Sequence, residues 1–219
     1  MEKMMELSPY TVRLFQAPDS RDLVYCPLSP REAEEVWRLL PEPRPALAAV
    51  SGMDWERDLS PWPAPRAFRG GKDFGGGAPL FLEELTRRLL PAVEGELGFL
   101  PRSRGIAGYS LAGLFALWAV YQGDLFDRAA SLSGSLWFDG FVTYMETHTF
   151  PRPLEKVVLS LGDREKAAGN PRLASVEERT RQAAGLLQAQ GVPVTLEWNQ
   201  GGHFKDVPER IAKGISALF

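Results

Sequence analysis

Gly105-Ile106-Ala107-Gly108-Tyr109-Ser110-Leu111-Ala112-Gly113-Leu114-Phe115-Ala116-Leu117-Trp118-Ala119-Val120-Tyr121-Gln122-Gly123 is the longest charge-free run in the chain. About 20 apolar residues suffice to cross a bilayer. Here Gly105, Gly108, Tyr109, Ser110, Gly113 and Gln122 interrupt the run where lipid favours aliphatic side chains. The stretch therefore predicts a buried strand, Gly105 to Gly108, running directly into a buried helix, Leu111 to Gln122, with Ser110 at the turn. Ser110 has Gly108 two places before it and Ala112 two places after, with Gly113 one place further on. In the Gly-x-Ser-x-Gly elbow, small flanking residues let neighbouring backbone approach closely while a strained strand-to-helix turn pushes the serine hydroxyl outward. Alanine is small enough to serve, and the strand-turn-helix setting makes Ser110 a candidate nucleophile.

Outward from this run, short aliphatic segments alternate with helix-period ones, the pattern of an α/β protein with crossover helices rather than a sandwich or bundle. Tyr10 to Gln16 and Leu23 to Tyr25 read as two early strands in a hairpin-like opening, joined by a turn at Ala17-Pro18-Asp19-Ser20-Arg21. Ser29-Pro30-Arg31-Glu32 reads as a helix N-cap, Pro at the first position and an acidic first turn, and Pro41, Pro43 and Pro45 stop that helix. Ala46 to Ser51 is expected as a central strand. An irregular loop follows from Gly52 to Ala78, a length that is usually functional. A helix from Pro79, strands at Ala129–Leu132, Lys156–Leu161 and Val194–Trp198, and helices near Phe138–Met145, Ser175–Gln190 and Val207–Leu218 complete the pattern. No linker or repeat divides the chain, so residues 1–219 are expected to form one domain.

With 25 Lys+Arg against 28 Asp+Glu, the net charge is −3, which does not suggest a nucleic-acid or anionic-membrane binder. A 44% hydrophobic and 24% charged composition is ordinary for a globular domain. One cysteine, Cys26, excludes an intrachain disulfide. Met1-Glu2-Lys3-Met4-Met5-Glu6 carries acidic residues where a secretory leader needs an apolar run. A reducing cytoplasm is the expected location.

An activated serine needs a base and an acid, expected here in the chain order serine, acid, histidine. Only two histidines exist. His203, in Gln200-Gly201-Gly202-His203-Phe204, follows the last expected strand and is the candidate base. His148, beside Pro151 and ahead of any acid candidate, reads as a surface residue. The acid should follow Lys156–Leu161, where Gly162-Asp163-Arg164-Glu165 offers two carboxylates that spacing does not separate. Asp206 lies too near His203 in sequence to be favoured.

Gly108-Tyr109-Ser110-Leu111-Ala112-Gly113, Ser133-Gly134-Ser135-Leu136-Trp137, Leu161-Gly162-Asp163-Arg164-Glu165 and Gly201-Gly202-His203-Phe204, taken together, resemble the esterase D-like esterases of the α/β-hydrolase superfamily. That group includes siderophore and feruloyl esterases and mycolyl transferases. The similarity runs roughly from Gly52 to the C-terminus. It implies a mostly parallel central sheet with helices on both faces, and the chain has no insertion long enough for a separate lid domain. It also implies carboxylic-ester hydrolysis through an acyl-enzyme, with a small-molecule ester, of a siderophore-like or other bulky kind, as substrate, and no cofactor or metal. The family's acid stands three places after the strand-ending glycine, which maps to Glu165, giving Ser110, His203 and Glu165. The resemblance implies oxyanion donors at Leu111 and at Met53 or Gly52, and a substrate-facing role for Arg57 with Ser60-Pro61-Trp62, the alternative for Arg57 being a salt bridge with Asp54 or Asp58. Trp55, Trp62 and Trp137 lie in segments expected at the sheet's carboxyl edge, which suggests an aromatic or bulky apolar substrate. Acyl transfer to another alcohol, or a catalytically silent ligand-binding relative, are the rival readings.

Overall fold

A computed structural model describes residues 1–18 and 20–219. Its strands are β1 (Glu2–Leu7), β2 (Tyr10–Phe15), β3 (Asp22–Pro27), β4 (Ala46–Ser51), β5 (Pro63–Ala64), β6 (Phe74–Gly75), β7 (Ser103–Tyr109), β8 (Arg128–Leu132), β9 (Lys156–Gly162) and β10 (Val194–Asn199). Its helices are α1 (Pro30–Leu39), α2 (Trp55–Asp58), α3 (Ala78–Glu84), α4 (Leu90–Leu97), α5 (Leu111–Ala119), α6 (Phe141–Thr147), α7 (Pro171–Ala174), α8 (Val176–Ala189) and α9 (Val207–Leu218).

Eight strands form one sheet in the order β1-β2-β4-β3-β7-β8-β9-β10. The six from β4 to β10 in that order are mutually parallel, and β1 and β2 add an antiparallel edge. Parallel strands covered on both faces read as continuous apolar runs, as the central strands do here. Successive residues of one strand feed opposite layers: Leu23 and Tyr25 join the core under α3–α6 and α8, and Val24 and Cys26 join the core under α1 and α9. Parallel order also brings the carboxyl ends of β4, β7, β8, β9 and β10 to one rim, where open α/β sheets bind ligands.

The sequence expectation fails at the start of the chain. β2 and β3 do not pair with each other, because β4 lies between them, and the hairpin partner of β2 is β1. The charged segment Glu2–Leu7 was legible only as an acidic start. It tolerates charge because it is an edge strand with most of its side chains exposed. The expected turn at residues 17–21 includes Asp19, which lies outside the described residues.

Local chemistry accounts for most of the remaining elements. Ser29 caps α1 as expected, and the structure adds a capping box with Glu32. Between α3 and α4 the chain makes a π-helical turn, Leu85–Leu89, in which the Leu90 N–H reaches back to Leu85 O. Pro91 follows directly; it brings no N–H for the carbonyl one turn back, and the wider turn accommodates it. The segment 52–78 proves ordered rather than irregular. It carries α2 and the β5–β6 ribbon, and the buried Asp58 accepts from the Asp54 N–H at 2.8 Å. No helix among the described residues is long and apolar enough to cross a membrane.

Candidate active site

Ser110 sits between β7 and α5 with φ +57° and ψ −122°, a conformation non-glycine residues rarely adopt and one that costs on the order of 1–3 kcal/mol. Backbone bonds on every side hold it there. Its N–H donates to Leu132 O at 3.0 Å, and its carbonyl accepts from Gly113 N at 3.0 Å and Ser135 N at 2.9 Å. Gly108 is required by close approach, since a Cβ there would stand 2.2 Å from Ala112 O. Ala112, in the place of the second elbow glycine, is fully buried without conflict.

Three distant segments meet at this turn. His203, in the loop after β10, brings Nε2 to 3.0 Å from Ser110 Oγ, and its Nδ1 lies 2.8 Å from Glu165 Oε2. Of the two carboxylates after β9, Glu165 is the one that reaches the imidazole. Asp163 instead accepts from the Gly201 N–H at 2.7 Å and so fastens the histidine's loop. The acid and histidine loops touch so closely that a Cβ on Gly162 would lie 2.3 Å from Gly201 O. The Tyr109 hydroxyl donates to His203 O at 2.6 Å, fastening the loop from below. Burial pushes the Tyr109 phenol up, which keeps it protonated as that donor.

Glu165 is almost wholly buried, with its other oxygen, Oε1, surrounded by donors. The Gly162 N–H donates to it at 2.7 Å, the Ser133 hydroxyl at 2.7 Å and the Arg210 guanidinium at 3.3 Å. Burial alone would raise this carboxyl. Hydrogen bonds from His203 and Ser133, the charge interaction with His203 and the Gly162 N–H outweigh burial, and the net shift is downward.

Ser110, His203 and Glu165 open onto a cavity of about 260 Å³. Its apolar wall includes Ala67, Phe74, Trp137, Leu173 and Val176, and exposed Phe68 and Phe204 stand at its mouth. Leu111, at the start of α5, is among the residues that line the cavity. Met53 lies just past the carboxyl end of β4, with its side chain packed against the core, and is not among the lining residues. Among the described residues, neither the Leu111 nor the Met53 N–H has a protein acceptor.

Two of the expected substrate-facing residues are placed elsewhere. Arg57 grips Asp58 through Nε at 2.7 Å and Nη2 at 3.1 Å, outside the cavity lining, because the buried Asp58 carboxylate next to it needs a cation. Trp62 turns behind the wall, donating to Asp139 O at 2.9 Å and packing on Phe138 and Tyr144. Trp137 does line the cavity. His148 is exposed and stacks on Tyr144, the surface position expected of it. Tyr109, Ser133 and Arg210 were missed as site residues. A signal for the last existed: Arg210, Gly214 and Leu218 recur at helical spacing on the buried face of α9.

Residues 39–206 match the model of the family described as "Putative esterase". The chain belongs to that family. Among curated proteins, this family member is 26% identical over 137 residues to the uncharacterized protein YbbA of Bacillus subtilis. The alignment covers 61% of this chain and 55% of that protein, so the chain matches about half the length of this relative. Among solved structures, it superposes over 100% of its length on siderophore hydrolase EstA of Aspergillus nidulans, with TM-score 0.69, 17% identity and 93% of that chain covered. An IroE-like serine hydrolase of Shewanella oneidensis gives TM-score 0.73 at 18% identity, with 100% of this chain and 79% of that one covered. The enterobactin esterase of Shigella flexneri gives TM-score 0.68 at 18% identity, with 100% of this chain and 58% of that one covered. These likenesses establish a shared α/β-hydrolase-type fold.

Proposed function

We propose that this family member is a serine carboxylic-ester hydrolase that works through an acyl-enzyme. The observation that carries the reading is the relay of 3.0 Å from Ser110 Oγ to His203 Nε2 and 2.8 Å from His203 Nδ1 to Glu165, at the floor of an apolar cavity. Ser110 Oγ attacks the ester carbonyl carbon while His203 Nε2 takes its proton. The resulting oxyanion is bound by the backbone N–H groups of Leu111 and Met53, and each such donor is worth on the order of 3 kcal/mol of barrier. Collapse breaks the ester C–O bond, and His203 returns the proton to the leaving alcohol. Water then attacks the acyl-Ser110 carbonyl by the same route, releasing the acid and restoring the serine. Throughout, Glu165 orients the imidazole and stabilises the imidazolium.

The substrate class proposed is a bulky, siderophore-like or aromatic ester, supported by Trp137 and Phe74 in the wall and by the fold shared with the siderophore hydrolases. Arg57 and Trp62 drop out of this assignment, since both stand outside the cavity lining. A cytoplasmic location accords with Cys26, which is a buried free thiol.

The test uses p-nitrophenyl esters of graded chain length and a fluorophosphonate probe. Wild type is expected to turn over the esters and to be labelled at Ser110, and folded Ser110→Ala is expected to do neither. A wild type that is inactive and unlabelled, like the variant, ends this reading.

A further inference from the structure

The reaction proposed above leaves one buried cation without a task. Arg210, in the first turn of α9, has a side chain only 3% exposed. Burying a guanidinium is costly unless each donor finds a partner. Nη1 lies 3.3 Å from Glu165 Oε1, 3.2 Å from the Tyr109 hydroxyl and 3.4 Å from Ser133 Oγ, and Nη2 donates to Gln200 O at 3.1 Å. One planar fork thus touches the acid, the residue before the nucleophile, the residue after β8 and the loop that carries the base. These are the segments whose mutual placement determines whether His203 can reach both Ser110 and Glu165.

We propose that Arg210 is a positioning residue for the Glu165–His203 pair: its fork holds the acid and the histidine loop in register, and its permanent charge favours release of the proton that the pair shares. The proposal rests on the Ser110–His203–Glu165 reading. A buried cation touching one member of a coupled pair acts on the apparent titration of both, because the pair binds its protons jointly. The other charged groups around the pair are less well placed to do this. On the β9 side, Asp163 is taken up by Gly201, and Lys166 pairs with Glu177 at 3.0 Å; Arg164 is exposed. On the histidine's own loop, Lys205 and Asp206 are exposed and 3.9 Å apart. On α9, Glu209 is exposed. Across the cavity, Glu56, Arg66 and Lys72 line the opposite side and its mouth. Tyr109 is held protonated by burial.

The experiment compares Arg210→Met, Arg210→Lys and wild type in two ways. The first is the pH profile of kcat/KM for a p-nitrophenyl ester. The second follows the His203 imidazole signals by NMR against pH in a Ser110→Ala background, with His148→Gln to assign them. Removing the cation is expected to move the acid limb and the NMR midpoint upward by roughly one pH unit. Lysine restores the charge and not the fork, so Arg210→Lys is expected to return the limb to within about 0.3 unit of wild type while kcat stays several-fold low. A merely structural role would lower the rate at every pH and leave both midpoints in place, and that result overturns the inference. So does an Arg210→Lys enzyme with wild-type kcat. If Arg210→Met does not fold, Arg210→Gln, which also removes the charge but keeps a polar side chain, takes its place in both measurements. The NMR arm needs no turnover: a shifted midpoint found alongside a wild type that hydrolyses no ester overturns the hydrolase reading and leaves the electrostatic one standing.

Discussion

Replacing Glu165 by glutamine changes one oxygen to an NH2 group, and the structure dictates which way round the amide must sit. Three donors converge on the Oε1 position: the Gly162 N–H, the Ser133 hydroxyl and the Arg210 guanidinium. An NH2 group there would face donors only, leaving the buried groups unsatisfied at about 1–3 kcal/mol each. The carbonyl oxygen therefore takes that place and the NH2 group faces His203 Nδ1. The imidazole must now accept at Nδ1, so its proton resides on Nε2, the nitrogen 3.0 Å from Ser110 Oγ. A base that carries its proton on the side of the nucleophile cannot take another. Wrong-tautomer substitution in a Ser-His-Asp triad costs on the order of 10⁴ in kcat, or about 5.5 kcal/mol of barrier. We expect a loss of roughly 10³ to 10⁴ in kcat for Glu165→Gln on a p-nitrophenyl ester, with the thermal unfolding midpoint used to confirm folding. Asp163→Asn is the control. It weakens one loop hydrogen bond, about 0.5–1.5 kcal/mol, and should cost no more than about tenfold. A Glu165→Gln enzyme within tenfold of wild type, or a larger loss at Asp163, would refute the assignment of the acid.

The folded state holds the Glu165 carboxyl below its usual value of 4.5, so its contribution to stability is complete above that pH and fades as pH falls below it. Urea midpoints should show wild type losing ground to Glu165→Gln only on the acid side, and a constant difference across the range would contradict this. Gly162→Ala places a Cβ 2.3 Å from Gly201 O, so it should destabilise by about 1–3 kcal/mol and depress kcat by separating acid from base, both absent if the loops yield freely. Arg172 lies over Phe74 and Trp137 and donates to Pro65 O at 2.6 Å, tying the 52–78 segment to the cavity wall. Arg172→Met should raise KM for aromatic esters roughly three- to tenfold with little change for acetate. An equal loss on both substrates would place its effect on the chemistry instead.

Reading the sequence worked where a local rule had a local cause. The Ser110 elbow, the Ser29 N-cap and the alternation of apolar strands with helices each depend on neighbours within a turn or two, and each stands in the structure near where its residues predict. The opening strands were misjudged because strand pairing is non-local: nothing in residues 10–27 tells β2 that β4 will be inserted beside it. Arg57 and Trp62 were assigned to the substrate side by the resemblance of their loop, and of that loop it is Trp55 and Glu56 that line the cavity. Their actual partners, a buried carboxylate and a distant aromatic cluster, belong to packing.

The amino-acid order alone determined the α/β class, the elbow serine and the choice of His203 over His148, since each follows from residue type, periodicity and chain order. Residue type and spacing left Asp163 and Glu165 equal, and only the resemblance pointed to Glu165; the contact of Glu165 rather than Asp163 with the imidazole, the fastening of the histidine loop by Tyr109 and Asp163, and the burial of Arg210 against Glu165 required the tertiary structure. Residues 109, 133, 165, 203 and 210 lie on separate elements, and only parallel strands ending at one rim, with glycine where the loops touch, bring those groups within hydrogen-bonding distance.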